Sequence, residues 1–203
     1  MYLTGDYYTT IDQGSVAEFK DKGSRFIGYT IPITDVNDFK EKLASVKKEH
    51  PKATHHCFAY RLGLDGTQYR VSDDGEPSGS AGRPILGQID SKQVTNVLIV
   101  VVCYFGGTLL GVPGLINAYK TTAALALQVT TLVQKPVLVN YRLQFDYTQM
   151  NEVMKVVKQF DCKVIRQEAN LFCSMEIGIP RNWKDEVVFK FQDIRGSELQ
   201  KIA

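Results

Sequence analysis

The stretch SDDGEPSGSAGRP, residues 72–84, sets Asp73, Asp74 and Glu76 among glycines, serines and prolines. Clustered carboxylates are the donor type that a hard divalent cation selects. The alternating acidic spacing and distal glutamate of a calcium hand are missing, so a solvated acidic turn is the favoured reading. A metal-dependent hydrolase or phosphotransfer enzyme using Asp73, Asp74, Glu76 and His55 or His56 stands beside it as a rival. Backbone amides around residues 79–83 open a helix and, with Arg83, offer an anion a landing point that the nearby carboxylates oppose.

His55 and His56 carry acid–base potential. Adjacent strand residues point to opposite faces, so they and Cys57 make an improbable zinc site, and hydrogen-bonded structural histidines are expected. No nucleophile-elbow pattern accompanies them. The segment YFGGTLLGVPG, residues 104–114, contains neither a P-loop nor a dinucleotide fingerprint, so no cofactor is expected. Its glycines are read as backbone geometry. Tyr104 and Phe105 could stack on a base, although aromatics that end a buried strand usually join the core.

These residues need a scaffold. Strands are expected at residues 7–11, 15–20 and 24–33, with turn chemistry at 12–14. Asp35 precedes a helical pattern carrying Phe39, Leu43 and Val46, which Pro51 ends. Residues 54–62 alternate as a half-buried strand, and Asp65-Gly66 turns the chain into a partner strand at 68–71. A helix opens near Ser80, capped by Ser78 or Ser80, with Pro84 in its first turn. Residues 97–103 are continuously apolar and β-branched, as a strand covered on both faces requires. Residues 115–133 read as a long buried helix with Leu115, Ala118, Tyr119, Thr122, Ala126 and Val129 inward.

Gln134-Lys135-Pro136 is the best domain boundary, giving domains at 1–135 and 136–203. Past it come a strand (137–147), a helix (149–160) with Met150, Val153, Met154 and Val157 inward, two strands (163–168 and 171–179), a helix (182–193) and a short final strand. That βαββαβ order is the ferredoxin-like unit.

The composition, 44% hydrophobic and 23% charged over 203 residues, is ordinary for a globular α+β protein. Net charge is only +2, so the strong basic excess of a nonspecific phosphate binder is absent. Cys57, Cys103, Cys162 and Cys173 form no CxxC pair and are expected as buried reduced thiols. No signal peptide or membrane-length apolar run is visible, and a cytoplasmic protein without membrane contact is expected.

Four stretches together carry a resemblance: KGSRFIGY (22–29), ATHHCFAYRLG (53–63), SDDGEPSGSAGRPIL (72–86) and YFGGTLLGVPGL (104–115). In this order they resemble the IMPACT/YigZ family. The resemblance implies an N-terminal domain like the second domain of ribosomal protein S-five, with a left-handed βαβ unit, and a ferredoxin-like C-terminal domain. The pair looks like the fourth and fifth domains of elongation factor G. Eukaryotic relatives regulate translation in the amino-acid-starvation response, which implies a role with RNA, the ribosome or a translation factor. The resemblance also implies basic residues at positions 103, 109 and 117 and glycine at 113, where this chain has Cys103, Leu109, Asn117 and Pro113. Each missing cation removes a phosphate contact.

The resulting expectation is a non-enzymatic binding protein. Its contact surface is assigned to Arg25, His55, His56, Asp74, Glu76, Arg83, Gly106, Gly107, Thr108 and Lys120, with Arg61 and Arg70 as further nearby cations. A protein–protein adaptor whose ferredoxin-like domain carries the partner surface is a third reading.

Overall fold

The computed structural model describes residues 3–64, 66–168 and 172–202. Asp65 of the expected turn and Leu171 of an expected strand lie outside the described residues. Contacts divide the chain into two compact units. One comprises residues 1–4 and 8–135; the other comprises residues 136–203 together with the tripeptide 5–7.

β1 (Leu3–Thr4), β2 (Tyr7–Ile11) and β8 (Leu132–Pro136) form a small sheet in the order β1-β2-β8, and all its residues but Tyr7 and Pro136 belong to the first unit. The main sheet has five strands: β3 (Ser15–Asp21), β4 (Ser24–Pro32), β5 (His55–Leu62), β6 (Gln68–Ser72) and β7 (Val97–Tyr104). Their order is β3-β4-β7-β5-β6, and every neighbouring pair is antiparallel. The most apolar strand, β7, is therefore central, and its side chains split between two cores. Leu98, Val100 and Val102 pack on one face with Phe39 and Val46 of α1 (Val36–Glu49). Val97, Ile99, Val101 and Cys103 pack on the other with α2 (Gly82–Ser91) and α3 (Gly111–Gln128). An unbroken β-branched run is what burial on both faces demands.

The same two-sided burial corrects the half-buried reading of β5. Phe58, Tyr60 and Leu62 enter one core while Cys57 and Ala59 enter the other. Arg61, at the end of β5, makes a bidentate ion pair with Asp90 of α2, at 2.7 and 3.0 Å. It is committed to the fold. Helix α1 starts where its N-cap predicts, Asp35 accepting from the amides of Asn37 and Asp38.

Helix α3 differs from expectation at both ends. It begins at Gly111, so Gly111, Val112 and Pro113 form its first turn, and proline is tolerated there because those amides lack intrahelical partners. It ends at Gln128, leaving Val129 61% exposed, and Leu132 and Val133 enter β8. The tripeptide Gln134-Lys135-Pro136 forms the end of that strand.

The second unit contains β9 (Leu138–Asp146), α4 (Met150–Gln159), β10 (Lys163–Glu168), β11 (Phe172–Pro180), α5 (Lys184–Asp193) and β12 (Glu198–Lys201). The sheet order is β10-β11-β9-β12, antiparallel throughout. Counted within the unit, its strands run 2-3-1-4, the ferredoxin-like arrangement. Leu143, Phe145, Met175 and Ile177 bury one sheet face against Val153 and Val157 of α4 and Val187 and Phe191 of α5. Residues on the other face include Arg142 and Arg166, paired with Glu176 at 2.9 Å and Glu168 at 2.7 Å.

Candidate functional site

The acidic stretch works first as a helix cap. Asp73 Oδ1 accepts from the amides of Ala81 and Gly82, at 3.0 and 2.8 Å, and Oδ2 accepts from Gly79 at 2.8 Å. Neither Ser78 nor Ser80 caps α2; the Ser80 hydroxyl donates to the Pro77 carbonyl instead. Burial by itself raises the Asp73 pKa, and the three backbone donors outweigh it, so the carboxyl lies below its ordinary value. Of the amides expected to attract an external anion beside Arg83, those of Gly79, Ser80, Ala81 and Gly82 are thus occupied from within the chain.

Asp74 clips the acidic loop to the start of β5. Its Oδ2 accepts from the His56 amide at 2.7 Å, its carbonyl lies 2.8 Å from His55 Nδ1, and Lys47 Nζ stands 3.5 Å from Oδ1. These bonds hold a non-glycine residue at φ +42°. His56 turns its ring to the His50 carbonyl at 3.1 Å, and burial pulls its pKa below the ordinary histidine value. His50 completes a packing cluster, with one ring nitrogen 2.6 Å from the Tyr29 hydroxyl and the other 2.9 Å from that of Tyr104. Tyr104 is a fold residue and not a stacking platform.

Glu76 has a different role. Its side chain is only 8% exposed; Oε1 accepts from the Tyr119 hydroxyl at 2.7 Å and lies 3.8 Å from His55 Nε2. Burial raises the Tyr119 pKa far above its ordinary value and keeps the phenol a donor. Tyr119 was placed on the inward face of its helix by spacing, but its role was not. A tyrosine in the buried stripe of a helix is the available signal, because its hydroxyl needs a buried partner.

Three neighbouring carboxylates therefore serve three separate sets of partners. No cluster of three or more metal-ligating side chains occurs among the described residues. The convergent donor set that the metal-dependent reading requires is not formed.

His55 and Glu76 line a pocket of about 400 Å³. Ser24 and Phe26 come from β4, Thr54 and His55 from the entry to β5, and Glu76 and Pro77 from the acidic loop. The segment from Cys103 to Leu115 supplies Cys103, Phe105, Thr108 to Val112, and Leu115. Each of the four motif stretches contributes to one cavity. Its lining is mainly apolar and contains no Lys or Arg among the described residues. Phe105, Val112 and Leu109 are 52%, 47% and 83% exposed.

The backbone at the pocket mouth depends on Gly106. A Cβ there would stand 2.0 Å from the Gly23 carbonyl carbon, so only glycine allows the approach. The Gly106 amide donates to Ser24 Oγ at 3.1 Å. Among the other assigned residues, Arg25 pairs with Glu18 at 2.6 Å, and Arg83 and Lys120 are exposed. None of these three cations lines the pocket.

Two of the four buried thiols, Cys57 and Cys103, lie near this site. Burial pushes Cys103 up to about 11 and Cys57 well above its ordinary value. All four cysteines are expected to resist a thiol reagent in the folded protein at neutral pH and to react once it is denatured. A thiol titration with and without denaturant checks this, and rapid modification of Cys57 in the folded protein would contradict it.

The molecule is thus a two-domain α+β protein: four separated sequence motifs build one apolar, carboxylate-bearing pocket in the first unit, and the second unit is ferredoxin-like. The family model of the Impact N-terminal domain matches residues 22–127. The IMPACT family member YigZ of Escherichia coli strain K12 is 37% identical over 184 residues, 90% of each chain. The IMPACT family member YvyE of Bacillus subtilis strain 168 is 30% identical over 199 residues, 95% of this chain and 92% of that one. A crystal structure of a hypothetical protein is similar with a TM-score of 0.78 at 33% identity, over 98% of each chain. The chain belongs to the IMPACT family.

Proposed function

We propose that this is a cytoplasmic, translation-associated binding protein that seats a segment of a protein partner, such as a translation factor or a ribosomal protein, in the N-terminal pocket. The observation that carries the reading is the convergence of all four motif stretches on that cavity. Family resemblance to translation regulators supplies the setting. The chemistry favours protein over the RNA backbone. Among the described residues the cavity lining carries a carboxylate and no Lys or Arg, Arg25 is paired with Glu18, and Asp73 occupies the amides of Gly79, Ala81 and Gly82. Phosphate contacts, which dominate nucleic-acid affinity, would have to come from elsewhere. The exposed apolar residues Phe105, Leu109 and Val112 suit a protein surface instead. Among the described residues no helix is long and apolar enough to cross a membrane.

Co-sedimentation with purified ribosomes, and capture by purified translation factors, at low and high salt tests this reading. Leu109→Asp is expected to weaken association by about tenfold or more, since it places a charge on an apolar contact. Arg83→Ala is expected to leave association unchanged. Loss of association on Arg83→Ala with no effect of Leu109→Asp would reverse the assignment in favour of phosphate recognition.

A further inference from the structure

Resting on that reading, we infer that the partner's anchor in the pocket is a lysine side chain, its ammonium received by Glu76 and His55. The Asp74 carbonyl can only accept, so His55 Nδ1, 2.8 Å away, carries the proton of that bond. In the neutral ring this leaves Nε2 as an acceptor, 3.8 Å from Glu76 Oε1 and without a hydrogen bond among the described residues. Glu76 itself is satisfied only in part: a carboxylate has about four acceptor sites, and Tyr119 fills one of them. A nearly buried carboxylate with a single hydroxyl donor attracts a cation, and the pocket lining provides no Lys or Arg among the described residues.

The shape narrows the cation. Two acceptors 3.8 Å apart can both bond one compact nitrogen at roughly 2.8 Å, the usual length for a charge-assisted bond. An ammonium with three rotatable donors suits that geometry better than the rigid planar fork of arginine. Phe26, Leu110 and Leu115 along the walls match a methylene stem, the way lysine chains normally lie on apolar surface. A free zwitterionic amine would bring a carboxylate into a cavity whose lining offers no Lys or Arg among the described residues. The exposed Phe105 and Leu109 favour an ammonium delivered by a protein chain.

The test is an NMR titration of the full protein with N-acetyl-lysine methylamide, following the His55 ring and the Leu115 methyls. N-acetyl-norleucine methylamide, which keeps the stem and lacks the ammonium, serves as the comparison. The lysine probe is expected to shift these signals saturably and to bind about tenfold or more tightly than the norleucine probe. Glu76→Gln keeps an oxygen for the Tyr119 hydroxyl and removes the charge, and it is expected to make the two probes bind alike. Equal binding of both probes to the unsubstituted protein overturns the lysine assignment, and that comparison needs no variant. Absence of any shift with either probe also overturns it. The docking reading is judged separately by Leu109→Asp in the sedimentation assay, so either idea can fail without the other.

Discussion

Replacing Asp73 with asparagine is expected to destabilise the start of α2 by about 3 kcal/mol, because one carboxylate serves three backbone donors there and charged hydrogen bonds are worth roughly 1.5–3 kcal/mol each. Asparagine can keep one oxygen on Ala81 and Gly82. Its amide then faces the Gly79 N–H, donor against donor. Hydrogen exchange of the α2 amides is the suitable readout, since it reports local opening without assuming that two units unfold together. Exchange there should quicken by roughly two orders of magnitude. Asp74→Asn should change it far less, because Asp74 holds β5 and not the helix. Equal effects of the two substitutions would remove Asp73 from the capping role.

The pH dependence has a definite sign. The folded-state pKa of Asp73 is depressed, so the carboxylate contributes its stability above the unfolded value of about 3.9 and loses it as pH falls through the lower folded value. The gap between the parent protein and Asp73→Asn should therefore be constant near neutrality and should close only in acid, below about pH 4. A gap that closes near pH 6 would point to a histidine as the responsible group.

What the sequence disclosed follows from where each interaction is made. The central strand β7 was legible because burial on two faces imprints an unbroken apolar run on a single segment. The order of the second unit was legible because β9, α4 and β11 each carry their own periodicity. The cap of α2 was not, because its oxygen comes from Asp73, eight and nine residues ahead of the amides it serves, while local rules look one to three residues back. The ends of α3 were misplaced for two reasons. Gly111 and Pro113 read as loop punctuation although both sit in a first turn, and Leu132 and Val133 prolong an apolar pattern after the helix has stopped.

The pocket required the third dimension. His55 and Glu76 were singled out as titratable groups, and each could be assigned to a motif. Their convergence with Phe26 and Leu115 depends on strand register, including the pairing of Arg25 with Tyr104 and of His55 with Cys103 across β7. Only the rival metal-dependent reading of the sequence required Asp73, Asp74 and Glu76 to act together. Their side chains were instead separated by the left-handed turn at Asp74 and Gly75, which sends each carboxylate to a different partner.

Gly106→Ala is expected to be the most damaging single-methyl change at this site. The added carbon would lie 2.0 and 2.2 Å from the carbonyl carbon and oxygen of Gly23, and 2.3 Å from the Ser24 nitrogen. These are backbone atoms, so no side-chain rotation relieves the overlap, and the loop after β7 must lift away from the turn between β3 and β4. The lift breaks the bond from the Gly106 amide to Ser24 Oγ and displaces Phe105, which lines the pocket. A local cost of about 3 kcal/mol is expected, at the upper end for overpacking.

Gly107→Ala is the matched control. Its Cβ meets nothing within 4 Å, and only its φ of +89° is unfavourable, for a cost of about 1–2 kcal/mol. Hydrogen exchange at the loop gives the structural readout, and co-sedimentation gives the functional one. If partner binding uses the cavity, Gly106→Ala should lose association while Gly107→Ala keeps most of it. If binding uses the exposed cations Arg83 and Lys120 instead, both variants should associate normally despite the displaced loop. The pair of glycines thus separates a pocket that recognises from a pocket that merely results from packing, using substitutions that alter no charge on the molecule.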